Sequence, residues 1–275
     1  MTIYGEIIKK IRQNKGLPLK SVYIDICSKT NAIKFEKGER NLAVDKFVEV
    51  LHNLMLTMEE FQWIKNDYKP RVEEYYSYMM SKYWNSYQIA AFEKNLRHIE
   101  TKAINIERIQ LASYRLLESY EKKLAPDKQE LALVTNYFSN LSTWTLSDIK
   151  FFTNNCYLLP YSLMLYLLKE ALKCQTRYQY YQNSERIFAA LLTNCVDRMI
   201  LEKDFSNASI SLNLLDKLAT DVTMDGYYLL AQYYKAKIIY LNEDLEKGRN
   251  MLLKIAEIAK FFDNKQLIIE IENLL

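Results

Sequence analysis

The side chains best suited to chemistry in this sequence lie together in one stretch, Ser28 to Arg40, SKTNAIKFEKGER. Lys29, Thr30, Asn31 and Lys34 carry the donors and positive charge that suit phosphate oxygens and base edges, and Lys37 and Arg40 extend the set. Ser28 is a good helix N-cap, its hydroxyl able to accept from the first free backbone N–H groups. Gly38 supplies the permissive backbone on which a helix can turn off. Between them the spacing predicts a short helix that packs Ala32 and Phe35 inward and leaves the polar residues outward. The chemistry is reversible recognition of a polyanion.

Charge is concentrated in the same region. The chain has 275 residues and a formal net charge of +3, yet residues 9–40 carry nine cations against Asp25, Glu36 and Glu39, a local excess of +6. A basic patch confined to one end implies a nucleic-acid-binding head on a body that does not bind nucleic acid.

Apolar spacing supplies the elements that would position these residues. Ile3, Ile7, Ile8 and Ile11 fall on one helical stripe, and Val44, Phe47, Val48, Leu51 and Met55 on another. Leu19, Val22, Tyr23 and Ile26 mark a short helix before the cationic one. Thr57 and Glu60 make a capping-box pattern that opens a fifth, with Phe61 and Ile64 inward. The second and third helices, joined by a tight turn at Asp25 to Cys27, read as a helix-turn-helix whose second helix enters the major groove N-terminus first.

YGEIIKKIRQNKG, SKTNAIKFEKGERNLAVDKF and TMEEF together resemble the Xre-type head of the Rgg/GadR/MutR regulators. The resemblance is sharp over the head; beyond residue 65 or so it lies in helical character and length. It implies a cytoplasmic transcription regulator with a C-terminal domain of TPR-like repeats, several such proteins responding to short secreted peptides that re-enter the cell. Pro18 and Leu19 stand where such heads often carry Thr-Gln, and Ile33 stands where a small Ser often sits, so operator sequence does not carry over. In such heads an Arg of the first helix pairs with the Glu of the exit from the recognition helix, here Arg12 and Glu36, which makes them a structural charge pair. Lys34 and Lys37 are the contact candidates, with a solvated helix face as the plain alternative.

Lys69-Pro70 interrupts the helical pattern, which sets the expected boundary between a DNA-binding domain of residues 1–68 and a repeat domain of residues 71–275 serving effector binding and dimerisation. Of the five glycines only Gly226 and Gly248 lie in the body, which is rich in Leu, Ile, Tyr, Lys and Glu, so the fold class is all-α. Near the C-terminus the small residues Ala236 and Gly248, followed by Leu252 and Ile255, have TPR-like spacing. Ala208, Leu212 and Leu215 form a fainter copy. Stacked helix pairs present a concave groove suited to an extended, largely apolar peptide. The tyrosines number 22, several in adjacent pairs (75–76, 180–181, 227–228, 233–234), and one of each pair is expected in the core with the other outward. Asn154, Asn155, Tyr157, Arg186, Asn194, Tyr228 and Gln232 are the candidates to grip a peptide backbone, although solvated faces or core polar groups explain any one of them.

Nothing points to catalysis. His52 and His98 have no partner motif, and no P-loop, G-x-S-x-G or H-E-x-x-H is present. Cys27, Cys156, Cys174 and Cys195 lack metal-ligand spacing, so neither a metal nor a cofactor is expected. Cys27, beside the cationic helix, is the one candidate for a redox role. Glu6, Lys9 and Lys10 break the first apolar stretch, and no run nears the ~20 residues that span a bilayer. Double-stranded DNA, a short peptide and a second copy of the chain are the expected partners, with a cytoplasmic location. A regulator without a small ligand and a helical-repeat protein–protein adaptor are the alternatives.

Overall fold

The computed structural model describes residues 4–275, which form two compact units divided between residues 106 and 107. Among the described residues the secondary structure is helical throughout, with no strand. The boundary expected near Lys69-Pro70 lies inside the first unit. Asp67 and Tyr68, both at φ 57°, break the chain there between two helices that remain in the same unit.

The first unit begins with five helices: α1 (Tyr4–Asn14), α2 (Leu19–Tyr23), α3 (Lys29–Glu36), α4 (Val44–Asn53) and α5 (Met58–Lys65). Ile8, Val22, Tyr23, Ile26, Ala32, Phe35 and Phe61 close a small core. Ile7 and Ile11 pack against that core, while Ile3 lies outside the described residues. The stripe expected on α4 is shifted. Phe47, Val50, Leu51 and Leu54 are the buried residues, while Val44, Val48 and Met55 are exposed, Met55 because it has left the helix at φ 54°. Rings join the layers: Phe47 meets Phe61 edge-on at 5.0 Å and Tyr4 meets Phe61 at 5.4 Å. Gly5 is indispensable because α1 crosses α3 where a Cβ would stand 1.7 Å from the Phe35 carbonyl oxygen. An antiparallel pair, α6 (Val72–Asn85) and α7 (Ile89–Thr101), completes the unit around Met80, Phe92, Leu96 and Ile99.

The second unit is a succession of helix pairs: α8 (Arg108–Glu121) with α9 (Lys128–Ser139), α10 (Leu146–Asn155) before α11 (Tyr161–Leu172), α12 (Ser184–Leu201) with α13 (Phe205–Leu218), and α14 (Asp225–Ile238) with α15 (Leu245–Phe261), followed by α16 (Lys265–Leu274). Helix α12 also packs on α10 and α14, so alternate helices are neighbours, as in a repeat stack. The small-residue positions read from sequence are all buried: Ala208, Ala236 and Gly248. At Gly248 a Cβ would lie 2.3 Å from the backbone nitrogen of Tyr240, in the π-helical turn Ile239–Glu243 that ends α14. The tyrosine pairs split only in part at 75–76 and 227–228, where Tyr76 and Tyr227 are half-buried and Tyr75 and Tyr228 exposed. At 233–234 both rings are buried, and at 180–181, which lies in a turn, both are exposed.

Candidate nucleic-acid interface and effector groove

The geometry of α3 follows from its two ends. Ser28, in extended conformation, accepts at Oγ from the Asn31 backbone N–H at 3.3 Å. At the other end Gly38, at φ 72°, lets its N–H reach the Phe35 carbonyl and that of Glu39 reach the Lys34 carbonyl, both at 2.9 Å. This is the paired closure of a Schellman motif. The turn preceding α3 is made by Asp25 at φ 61°. Helix α3 buries Ala32, Phe35 and Glu36 on one side and exposes Lys29, Thr30, Ile33, Lys34 and Lys37 on the other. At 3.6 residues per turn these five exposed positions span an arc of about 140°. Asn31 sits at its edge, half-buried, and accepts at Oδ1 from Arg40 Nη1 at 2.8 Å. Lys37 lies 4.0 Å from Glu39 in a solvent-exposed pair worth little.

Two of the nine cations serve the fold instead. Arg12 grips Glu36 with both arms, Nε to Oε1 at 2.7 Å and Nη2 to Oε2 at 2.8 Å, and its Nη1 donates to the Leu17 carbonyl at 2.8 Å. Glu36 is only 4% exposed, and its hydrogen bond raises the Arg12 pKa. Lys15 Nζ donates to the Leu54 carbonyl that closes α4, at 2.6 Å. Lys46 is a cation that the sequence stretch omitted. It is exposed on α4, and with Arg40 it opposes the burial that pushes the Cys27 thiol upward. Spacing alone could not flag Lys46, since it lies in another helix. Ile33 stood out only as a departure from the usual Ser; its exposure on the outer arc suits it to a thymine methyl.

The candidate peptide contacts do not form one site. Asn155 is fully buried: its Nδ2 donates to the Phe151 carbonyl and its Oδ1 accepts from Ser113 Oγ, both at 2.7 Å. It is a core residue, because an amide at that depth must have both ends satisfied. Asn194 Nδ2 donates to the Thr153 carbonyl at 3.0 Å, tying α12 to α10. Tyr157 donates to Asp197 at 3.2 Å, and burial first, then the Asp197 charge, drives its pKa far up, so it stays a neutral phenol. Arg186 donates to the Thr223 carbonyl at 3.1 Å. Asn154 is exposed on α10.

Tyr228 and Gln232, by contrast, share a groove of about 850 Å³ between α14 and α15. Leu229, Met251, Ile255, Ile258 and Phe262 make its walls apolar, and Asp225, Lys254 and Asn264 supply polar groups at its border. Phe262 is 68% exposed and Ile258 44%, so the apolar lining is open to solvent. Such a groove offers burial for hydrophobic side chains and, in Gln232 and Asn264, amides able to hold a peptide backbone. A smaller recess, about 550 Å³, lies between α5 and α6 beside Trp63, Tyr75 and Tyr78.

Comparison with known proteins agrees with this architecture. The family model for the C-terminal domain of the HTH-type transcriptional regulator Rgg matches residues 81–273. A solved transcriptional regulator from Listeria monocytogenes EGD-e superposes with TM-score 0.80 at 21% identity, covering 99% of this chain and 97% of its own. The SHP pheromone receptor Rgg2 of Streptococcus dysgalactiae gives 0.73 at 17% identity, with 98% and 97% covered. PrgX in complex with cCF10 gives 0.65 at 18% identity, with 100% and 91% covered. No helix among the described residues is long and apolar enough to cross a membrane. With the Rgg model spanning well over half of its length, this chain belongs to the Rgg family of helix-turn-helix transcriptional regulators.

Proposed function

We propose that this chain is a cytoplasmic homodimeric regulator in which residues 1–68 bind double-stranded DNA and residues 71–275 bind a short, largely apolar peptide and hold the dimer. The observation that carries the peptide half is the open apolar groove between α14 and α15, bordered by Tyr228 and Gln232. Relatives of the same fold include a pheromone receptor, Rgg2, and PrgX, whose complex with cCF10 has been solved, which supports the reading. DNA enters along the exposed arc of α3. Lys29, Lys34 and Lys37 meet phosphates, Thr30 and Asn31 lie at the leading end, and Ile33 offers an apolar contact. A single helix-turn-helix covers one half-site, so two heads one DNA turn apart read an operator as a pair. Peptide regulates DNA only if it prefers one arrangement of the dimer, since a ligand of equal affinity for both shifts nothing.

The test uses the full chain and synthetic peptides encoded by small reading frames beside its gene, titrated by calorimetry against scrambled controls. Tyr228→Ala and Gln232→Ala should each weaken binding about ten-fold or more, equivalent to roughly 1.4 kcal/mol. If no peptide binds better than its scrambled form while operator DNA still binds, the ligand-free regulator replaces this reading. Absence of duplex binding would favour an adaptor.

A further inference from the structure

Asp225 and Lys254 are the only charged residues among those that line the groove between α14 and α15, and they carry opposite signs. Neither is held in an ion pair by another side chain among the described residues. We infer that the groove takes its peptide in one direction, with an amine at Asp225 and a carboxylate about four residues further on, at Lys254. This orientation rests on the peptide reading of the groove proposed above and adds an order of charges to it.

The spacing of the two charges follows from the register of the helix pair. Helix α14 runs on through its π-helical turn, and Gly248 of α15 packs against Tyr240 of that turn, where a Cβ would stand 2.3 Å from the Tyr240 nitrogen. From there α15 returns along α14, so that Phe262 at its far end borders the same groove as Asp225 and Gly226 at the start of α14. Counted outward from the contact of Gly248 with Tyr240, Lys254 comes level with Tyr234, about nine residues along α14 from Asp225. At about 1.5 Å of rise per residue the two charges are about 13 Å apart along the groove. About four residues of extended chain cover that distance. The wall between them is apolar, formed by Leu229, Ile255 and Ile258. The matching ligand is an apolar stretch with a positive group at one end and a negative group at the other. The positive group is the chain's amino end or a lysine, and the negative group its carboxyl end or an acidic side chain. A single exposed ion pair changes affinity only about two- to five-fold. Turning the peptide round replaces attraction by like-charge repulsion at both ends, so direction is decided more firmly than affinity.

A display library of random heptapeptides with a free amino end, selected on the full chain, supplies the probe. The enriched peptides are then synthesised with each charge neutralised in turn: amino end acetylated, carboxyl end amidated, any Lys changed to Gln, any Asp or Glu to its amide. Calorimetric titration against the wild type, Asp225→Asn and Lys254→Gln completes a double-mutant cycle for each charge. Neutralising one amine should weaken binding to the wild type and to Lys254→Gln about two- to five-fold, and should have no effect on Asp225→Asn. Neutralising one carboxylate should do the converse, costing a similar factor except in Lys254→Gln. Whether the chain end or a side chain is felt identifies the group bound at each position. Asp225 also lies in the first turn of α14, where its charge favours the helix start, so the comparison is made between peptides within each variant and a loss of stability does not enter it. If peptides bind but a neutralised charge costs the same in the wild type as in the variant that lacks its partner, Asp225 and Lys254 do not orient the ligand; the inference then fails while the peptide reading stands. If no selected peptide binds better than its scrambled form, the peptide reading itself falls, and this inference with it.

Discussion

Glu36 and Lys34 are two residues apart in one helix and do opposite things. Glu36 is buried against both arms of Arg12, and Lys34 is exposed on the opposite side of the helix. Removing one partner of a buried pair leaves an uncompensated charge, so Glu36→Ala should destabilise the head by about 3–5 kcal/mol, visible as an early transition in a thermal melt. Lys34→Ala should leave the melt unchanged and weaken DNA binding, lowering the slope of log affinity against log salt by about one. A stability loss at Lys34, or none at Glu36, would reverse the two roles. Among the candidates in the body, Asn155→Ala should act as a stability mutation. It leaves the buried Ser113 hydroxyl without its partner, at a cost of about 1–3 kcal/mol, and should not alter peptide affinity per folded molecule. Side-chain type suggested that Asn155 could grip a backbone; only burial reveals that it already does, inside the protein.

Helix ends were the most legible features, because they rest on local chemistry. Ser28, Gly38 and Thr57 take the capping roles their types imply, Thr57 accepting from the Glu60 N–H at 3.0 Å. The inward face of α4 was harder to read. Two overlapping stripes, Val44-Val48-Met55 and Val50-Leu54, share Phe47 and Leu51, and only the neighbours of the helix decide which is covered. The crossing of α1 over α3 at Gly5 left no trace in periodicity. Gly5→Ala should cost about 3 kcal/mol or more, since backbone must move to clear the Phe35 carbonyl, and circular dichroism melts would show it. At the start of α10, burial raises the Asp148 pKa, but hydrogen bonds from Thr145 and Tyr137 outweigh it and hold the carboxyl below its ordinary value. Burial first, then the same contact, pushes the Tyr137 pKa up to about 12. A depressed carboxylate stabilises the fold fully above its unfolded pKa and loses that contribution as pH falls through the folded one. The body should therefore weaken below about pH 4, and Asp148→Asn should flatten that part of a stability–pH curve.

Across the whole molecule, the all-α class and the order of head and repeat body were written in composition, in the near absence of glycine from the body and in the buried small residues Ala208, Ala236 and Gly248. The compact units were not: Pro70 punctuates the chain, yet α6 and α7 remain with the first unit, because a boundary depends on which surfaces pack rather than on where a helix stops. Nor could the sequence say which tyrosines and amides meet across helices forty residues apart, as Tyr157 and Asp197 do. Operator affinity of the intact protein should fall steeply with salt if the exposed cations of α3 act through phosphates, as proposed. A flat salt response in an anisotropy titration would exclude that electrostatic term. The cysteines add a practical property. Cys156, Cys174 and Cys195 are buried and Cys27 is partly exposed beside α3, so the native chain has a single thiol open to alkylation, placed next to the helix proposed to meet DNA. Burial raises its pKa, so a maleimide dye should couple slowly at neutral pH and faster under mild alkali, with one dye per chain by mass spectrometry. The labelled protein would then carry a fluorescent reporter of operator docking with no engineered cysteine, its emission changing when duplex covers α3.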